Sequence, residues 1–187
     1  MKYLIACLGN IGPEYVNTRH NIGFMTGDFL CNDLSGKFTT ERLAQTATLK
    51  YKSRSLVVIK PTTYMNLSGK AIQYWLRQEQ IPLENLLVVV DDIALPLGEL
   101  RVKLKGGDAG HNGLEHIINT LGTNQFARLR FGIGDDFQRG RQVEYVLGTW
   151  SKQELNVIEP RIAVAAEIIK SFATIGTERT MTLYNKK

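Results

Sequence analysis

The sequence is poor in sulfur, poor in histidine and free of long apolar runs. Two cysteines, three histidines and five prolines are spread over 187 residues. Cys7 and Cys31 sit in apolar segments without C-x-x-C spacing, which excludes a disulfide framework and points to two reduced, buried thiols. H-E-x-x-H is missing, and three histidines without suited cysteines make a poor zinc site, so no metal is expected. No serine occupies a G-x-S-x-G, and neither cysteine has a nucleophile's surroundings, so a covalent acyl-enzyme lacks a candidate. No apolar stretch approaches membrane-spanning length, and Met1-Lys2-Tyr3-Leu4 enters a strand directly, without the layout of a signal peptide. The expectation is a cytoplasmic protein with no membrane contact. Repeats, linkers and low-complexity blocks are also lacking, and the length suits one domain with a real core, 1–187. The net charge of +5 permits a polyanionic partner without requiring one.

What is present is organised around residues 4–24. An apolar strand-like run breaks at Gly9-Asn10-Ile11-Gly12-Pro13 and delivers Thr18-Arg19-His20-Asn21 to the start of a helix. Residues 3–8 read as a buried strand and 22–34 as a helix ending near Ser35-Gly36. Residues 45–50 and 55–59 read as a hairpin across Tyr51-Lys52-Ser53-Arg54. Ser68 is the expected N-cap of a helix carrying Ala71, Ile72, Trp75 and Leu76. Leu86-Leu87-Val88-Val89-Val90 lacks alternation, as a strand covered on both faces would, and ends in Asp91-Asp92. Residues 99–104 alternate, with Arg101, Lys103 and Lys105 projecting as a basic ladder. A flexible Gly106-Gly107-Asp108-Ala109-Gly110 loop precedes a helix from about Asn112 to Leu121, then a strand at 128–133. Ser151-Lys152-Gln153-Glu154 is a capping box ahead of a helical stripe, and Pro160 should kink or split that helix. The fold class is α/β: a single domain with a twisted mixed, largely parallel sheet flanked by helices.

Three of these strands end near a polar residue: Asn10, Asn66 and Asp91. Ligands of open α/β sheets bind outside the carboxyl ends of the strands. If the three run parallel, those residues converge on one crevice, within reach of His20. A histidine backed by a carboxylate is an oriented general base. Carboxamide N–H groups can hold a carbonyl oxygen as it becomes an oxyanion. With covalent and metal routes lacking candidates, a water activated by His20 remains, which suits ester hydrolysis. Blander readings stand beside this one. His20 could cap a helix or fill core, Asp91 could cap a turn, His111 could shape a turn, His116 could be structural, and the basic ladder could be a solvated face. Gly9-x-x-Gly12 is half of a dinucleotide fingerprint, with Pro13 and Glu14 where the motif would continue.

At these residues the chain resembles the bacterial-type peptidyl-tRNA hydrolase family. The matching blocks are Leu8-Gly9-Asn10-x-Gly-x-x-Tyr15, Thr18-Arg19-His20-Asn21-x-Gly23-Phe24, Lys60-Pro61-x-Thr63-Tyr64-Met65-Asn66-x-Ser68-Gly69, Asp91-Asp92 with Leu95-Pro96-x-Gly98, Gly110-His111-Asn112-Gly113-Leu114, and Arg128-Leu129-Arg130-x-Gly132-Ile133-Gly134. The resemblance implies hydrolysis of the ester between a peptide and the 3′ ribose of tRNA, with tRNA as partner, no cofactor, and a cytoplasmic monomer. It implies His20 as base, Asp91 as its orienting partner, and Asn10 and Asn66 at the peptide and reacting carbonyl. Asn112 would place the 3′ end or the water, and Tyr15, Tyr64 and Met65 would line the peptide groove. Arg101, Lys103, Lys105 and Arg130 would meet tRNA phosphates, which position a substrate without reading its sequence. Four positions in three places depart from the family pattern. Ile11 replaces a proline, Ala94 a common acidic residue, and Lys105 and Asp108 a glycine and a histidine in the loop expected to gate the site. A relative that kept the RNA surface but lost catalysis is the alternative.

Overall fold

The computed structural model describes residues 1–186 of the chain. β1 (Lys2–Cys7) leads to α1 (Ile22–Asp33), then to β2 (Thr39–Glu41), β3 (Ala44–Tyr51) and β4 (Arg54–Pro61). α2 (Ser68–Gln78) joins β4 to β5 (Leu86–Asp92), which is followed by β6 (Leu100–Lys103), α3 (Asn112–Leu121) and β7 (Ala127–Gly132). α4 (Gln142–Val146), α5 (Lys152–Ile175) and α6 (Thr177–Tyr184) come last. The strands form one sheet in the order β2-β3-β4-β1-β5-β7-β6. β4, β1, β5 and β7 are parallel, and β2, β3 and β6 run antiparallel to their neighbours.

Successive side chains of a strand face opposite ways, so β1 feeds two cores. Ile5 and Cys7 pack with Leu30 of α1 and Ile162 and Phe172 of α5. Leu4, Ala6 and Leu8 pack with Ile72 and Trp75 of α2 and Leu114 and Ile117 of α3. Covering on both faces is why residues 86–90 show no polar alternation. Burial pushes the Cys7 thiol up to about 12, with the nearby Asp28 carboxylate adding to the effect, so it stays an unreactive thiol. From β1 the chain goes to β4 on one side and later crosses to β5 on the other. That reversal of strand order beside β1 makes the crevice in which such sheets bind ligands.

The hairpin turns on Lys52 and Ser53, whose φ of 45° and 64° match the tight turn that suits twisted strands. Two expectations are corrected. Ser68 is the first residue of α2 rather than its N-cap, and its hydroxyl donates to the Met65 carbonyl at 2.7 Å. α5 runs unbroken through Pro160. Pro160 and Asn156 are both exposed, so water can take the lost backbone hydrogen bond, while buried Ile158, Ile162 and Ala165 hold the same face on the core. The short β2 and α4 went unread because neither carries a buried periodic stripe. Of the basic tail Asn185-Lys186-Lys187, Lys187 lies outside the described residues.

Candidate active site

His20 is carried on a single helical turn, Arg19–Asn21, directly ahead of α1. A Cβ at Gly23 would meet the Leu8 carbonyl at 2.4 Å and the Val89 carbonyl at 2.8 Å, so only glycine lets α1 start this close to β1 and β5. The turn is pinned from the other side by Arg19. Its guanidinium takes both carboxylate oxygens of Glu154, at 3.1 and 2.8 Å, and lies 4.3 Å from the Tyr145 ring centroid. Asn21 clamps the end of β1: its Oδ1 accepts from the Asn10 amide at 2.8 Å and its Nδ2 donates to the Asn10 carbonyl at 2.9 Å. The half dinucleotide motif leads into the single turn Pro13–Tyr15, and α1 begins only at Ile22. No helix N-terminus follows Gly12 to receive a pyrophosphate.

His20 Nδ1 lies 2.8 Å from Asp91 Oδ2, and His111 Nε2 lies 2.8 Å from Asp91 Oδ1. A single buried carboxylate therefore serves two imidazoles. His111 is also the N-cap of α3, its Nδ1 accepting from the amides of Gly113 at 3.1 Å and Leu114 at 3.2 Å. Accepting there leaves no proton on Nδ1, so Nε2–H is the group donated to Asp91. Burial opposes charge on Asp91, but His20 and His111 outweigh it and hold the carboxyl well below the usual carboxylate range. Burial likewise disfavours the charged form of His20, and the charge and hydrogen bond of Asp91 overcome it, raising the imidazole's pKa. When His20 is neutral its Nδ1–H belongs to Asp91, and Nε2, with no protein partner among the described residues, is left with a free lone pair.

Donor atoms of His20, Asp91 and His111 lie within 4.8 Å of one another, a spacing that a small cation could bridge. The His111 tautomer opposes it. Coordination through Nε2 would move that proton to Nδ1 and uncap α3.

A cavity of about 120 Å³, room for several waters, opens beside these groups. His20, Asp91, Asn112, Lys103 and Arg130 line it, together with the 106–110 loop and Val143 and Val146 of α4. Arg128, buried beneath the loop, donates to the carbonyls of Gly106 at 2.9 Å and Gly107 at 3.1 Å. Asp108 shapes the loop's end, its Oδ1 accepting from the Gly110 amide at 2.8 Å. The other carboxamides are placed differently. Asn10 is buried, and its Oδ1 accepts from the Met65 amide at 2.7 Å, leaving Nδ2 with no partner among the described residues. Asn66 is exposed beside buried Met65. Tyr64 holds a strained φ of 43°, with its ring centroid 6.4 Å from that of Tyr15. The basic ladder divides. Arg101 is ion-paired with Glu99, and Arg130 with Asp92 at 2.5 Å. Lys103 and Lys105 are exposed and have no acidic partner among the described residues. Lys105 and Arg101 lie outside the cavity lining.

With this geometry in view, likeness to known proteins is decisive. The family model described as peptidyl-tRNA hydrolase matches residues 4–187. The chain belongs to the peptidyl-tRNA hydrolase family. It is 58% identical over its full length to the whole of a curated peptidyl-tRNA hydrolase of Phocaeicola vulgatus, and 54% identical to one of Bacteroides fragilis. The crystal structure of the peptidyl-tRNA hydrolase of Acinetobacter baumannii superposes with a TM-score of 0.92 at 31% identity, covering 98% of this chain and 94% of that one. Against this family, Ile11 is an exposed residue of the turn after Asn10, and Ala94 takes part through its backbone, donating to Asp92 Oδ1 at 2.7 Å. Sequence reasoning missed the bond from His111 to Asp91 and the clamp of Asn21 on Asn10. The position of His111 directly ahead of α3 was the one visible signal.

Proposed function

We propose that the chain hydrolyses the ester joining a peptide, or an N-blocked amino acid, to the 3′-terminal ribose of tRNA, with His20 as general base. The carrying observation is the 2.8 Å bond from His20 to buried Asp91, with the second ring nitrogen without a protein partner among the described residues and His20 lining the cavity. Nε2 takes a proton from water as the water oxygen attacks the ester carbonyl. Asp91 holds the tautomer and stabilises the imidazolium. The oxyanion that forms meets carboxamide N–H donors, for which unpartnered Asn10 Nδ2 and cavity-lining Asn112 are the candidates. The intermediate collapses by expelling the ribose oxygen, which takes the proton back from His20. The products are a free peptide carboxyl and a tRNA with its terminal hydroxyl restored.

Asn66, Met65, Tyr64 and Tyr15 form the peptide side in this reading. Lys103, Lys105, Arg130 and Arg101 form the tRNA side, with the two lysines the cations least engaged by acids. The enzyme works as a cytoplasmic monomer without a cofactor, and no helix among the described residues is long and apolar enough to cross a membrane. The intact His20, Asp91, Asn10, Asn66 and Asn112 set leaves the reading of an inactive relative without a supporting observation. Release of peptide from N-acetyl-aminoacyl-tRNA is the test. His20→Ala should lose roughly 10²–10⁴-fold in kcat with tRNA affinity little changed. A variant as fast as wild type would remove His20 from the reaction.

A further inference from the structure

A second groove, of about 470 Å³, includes Asn10 but shares no lining residue with the cavity beside His20. Ile11, Val16, Phe24 and Met25 supply its apolar walls, and Asn21, Gln45 and Thr62, with Asn10, its neutral polar groups. We propose that this groove is a peptide subsite that takes the apolar side chain one or two residues upstream of the ester-linked residue. The proposal rests on the peptidyl-tRNA reading and names what its acyl half would meet.

The argument begins with the two limbs of the ester. With the carbonyl at His20, the nucleotide limb lies toward the cavity walls where Lys103 and Arg130 stand. The acyl limb must leave by another side, and Asn10 connects the two places. Its Oδ1 holds the backbone at Met65, and its residue also lines the groove. Nucleic acid fits the groove poorly. Its one cation, Lys60, is ion-paired with Asp28 at 2.5 Å and lies 4.2 Å from the Phe38 ring centroid, so a phosphate would meet a carboxylate and no free charge. An aliphatic side chain fits better. Val16 is 56% exposed and Ile11 36%, leaving apolar surface to be covered within the groove. The volume falls within the roughly 300–1,000 Å³ of small-ligand pockets.

Three N-acetylated substrates on one tRNA test this: Ala, Leu-Leu-Ala and Asp-Asp-Ala. Wild type should favour Leu-Leu-Ala over Asp-Asp-Ala by roughly five- to tenfold in kcat/KM, mostly through KM. Val16→Asp and Val16→Lys should both reduce that preference to about twofold or less, because each replaces apolar surface whatever its charge. Both should leave the Ala substrate within about twofold of wild type, since Val16 is exposed and remote from the hydrogen bonds of the dyad. Hydrolysis of all three with no preference, or a preference that survives both variants, would overturn the subsite alone. Failure of wild type to release anything from any of the three would overturn the peptidyl-tRNA reading and the subsite with it.

Discussion

Replacing His111 with asparagine separates its two tasks. Asparagine is a good N-cap, so the Gly113 and Leu114 amides keep an acceptor. Its shorter side chain cannot reach Asp91 Oδ1, which now receives Nε2–H at 2.8 Å. Asp91 is 5% exposed, so its charge relies on the donors around it. A hydrogen bond to a buried charge contributes about 1.5–3 kcal/mol. For a chain of this length each kcal/mol moves Tm by about 2–4 °C, so the melting point should fall by roughly 3–12 °C. The electrostatic consequence is more specific. The carboxylate charge, no longer shared between two rings, acts on His20 alone and raises its pKa further above 6.5. Only neutral His20 can accept a proton from water, so the acid limb of kcat/KM should shift to higher pH. The assay is peptide release between about pH 5.5 and 9, with thermal melts of the same samples. Combining the change with Asp91→Asn should give stability losses that do not add. An unmoved acid limb together with an unchanged Tm would refute the shared-carboxylate reasoning.

Two further outcomes follow from the same geometry. The folded pKa of His20 is raised above its unfolded 6.5, so its contribution to stability is full below that pH and is lost as pH rises through the raised value. The Tm of wild type relative to His20→Gln should therefore fall across this window while kcat/KM climbs, and parallel Tm curves for the two proteins would break the link. On the tRNA side, Lys103→Ala should flatten the dependence of log KM on log salt by roughly 0.7–0.9, one phosphate contact. Arg101→Ala should change it less because Glu99 already engages that guanidinium. An equal slope change in both variants would mean that the Glu99 pair opens on binding.

Much of the fold was legible because it rests on local pattern. The apolar run of residues 86–90, the period of α1 and the capping box of Ser151 and Glu154 each state their structure within a few residues. Ser68 misled because a serine at a helix start has two uses, and its hydroxyl turned back to the Met65 carbonyl instead of capping α2. Pro160 misled because the cost of a proline depends on whether water or core surrounds the broken bond.

The site was legible only in its parts. Composition alone excluded a disulfide scaffold and left covalent catalysis without a nucleophile, and residue order alone placed Asn10, Asn66 and Asp91 at strand ends. Chain order cannot say that β1 lies between β4 and β5, because hydrogen bonding between strands is a pairing of distant segments. That pairing carries His20 to Asp91 across 71 residues of sequence and His111 to the other oxygen across 20. It also determines that Arg130 is engaged, since Asp92 meets it only once β5 and β7 lie side by side, whereas Glu99 is a neighbour of Arg101 in the chain itself. Residue types supplied the chemical groups. The sheet order decided which of them share a proton, because a proton is shared only over about 3 Å.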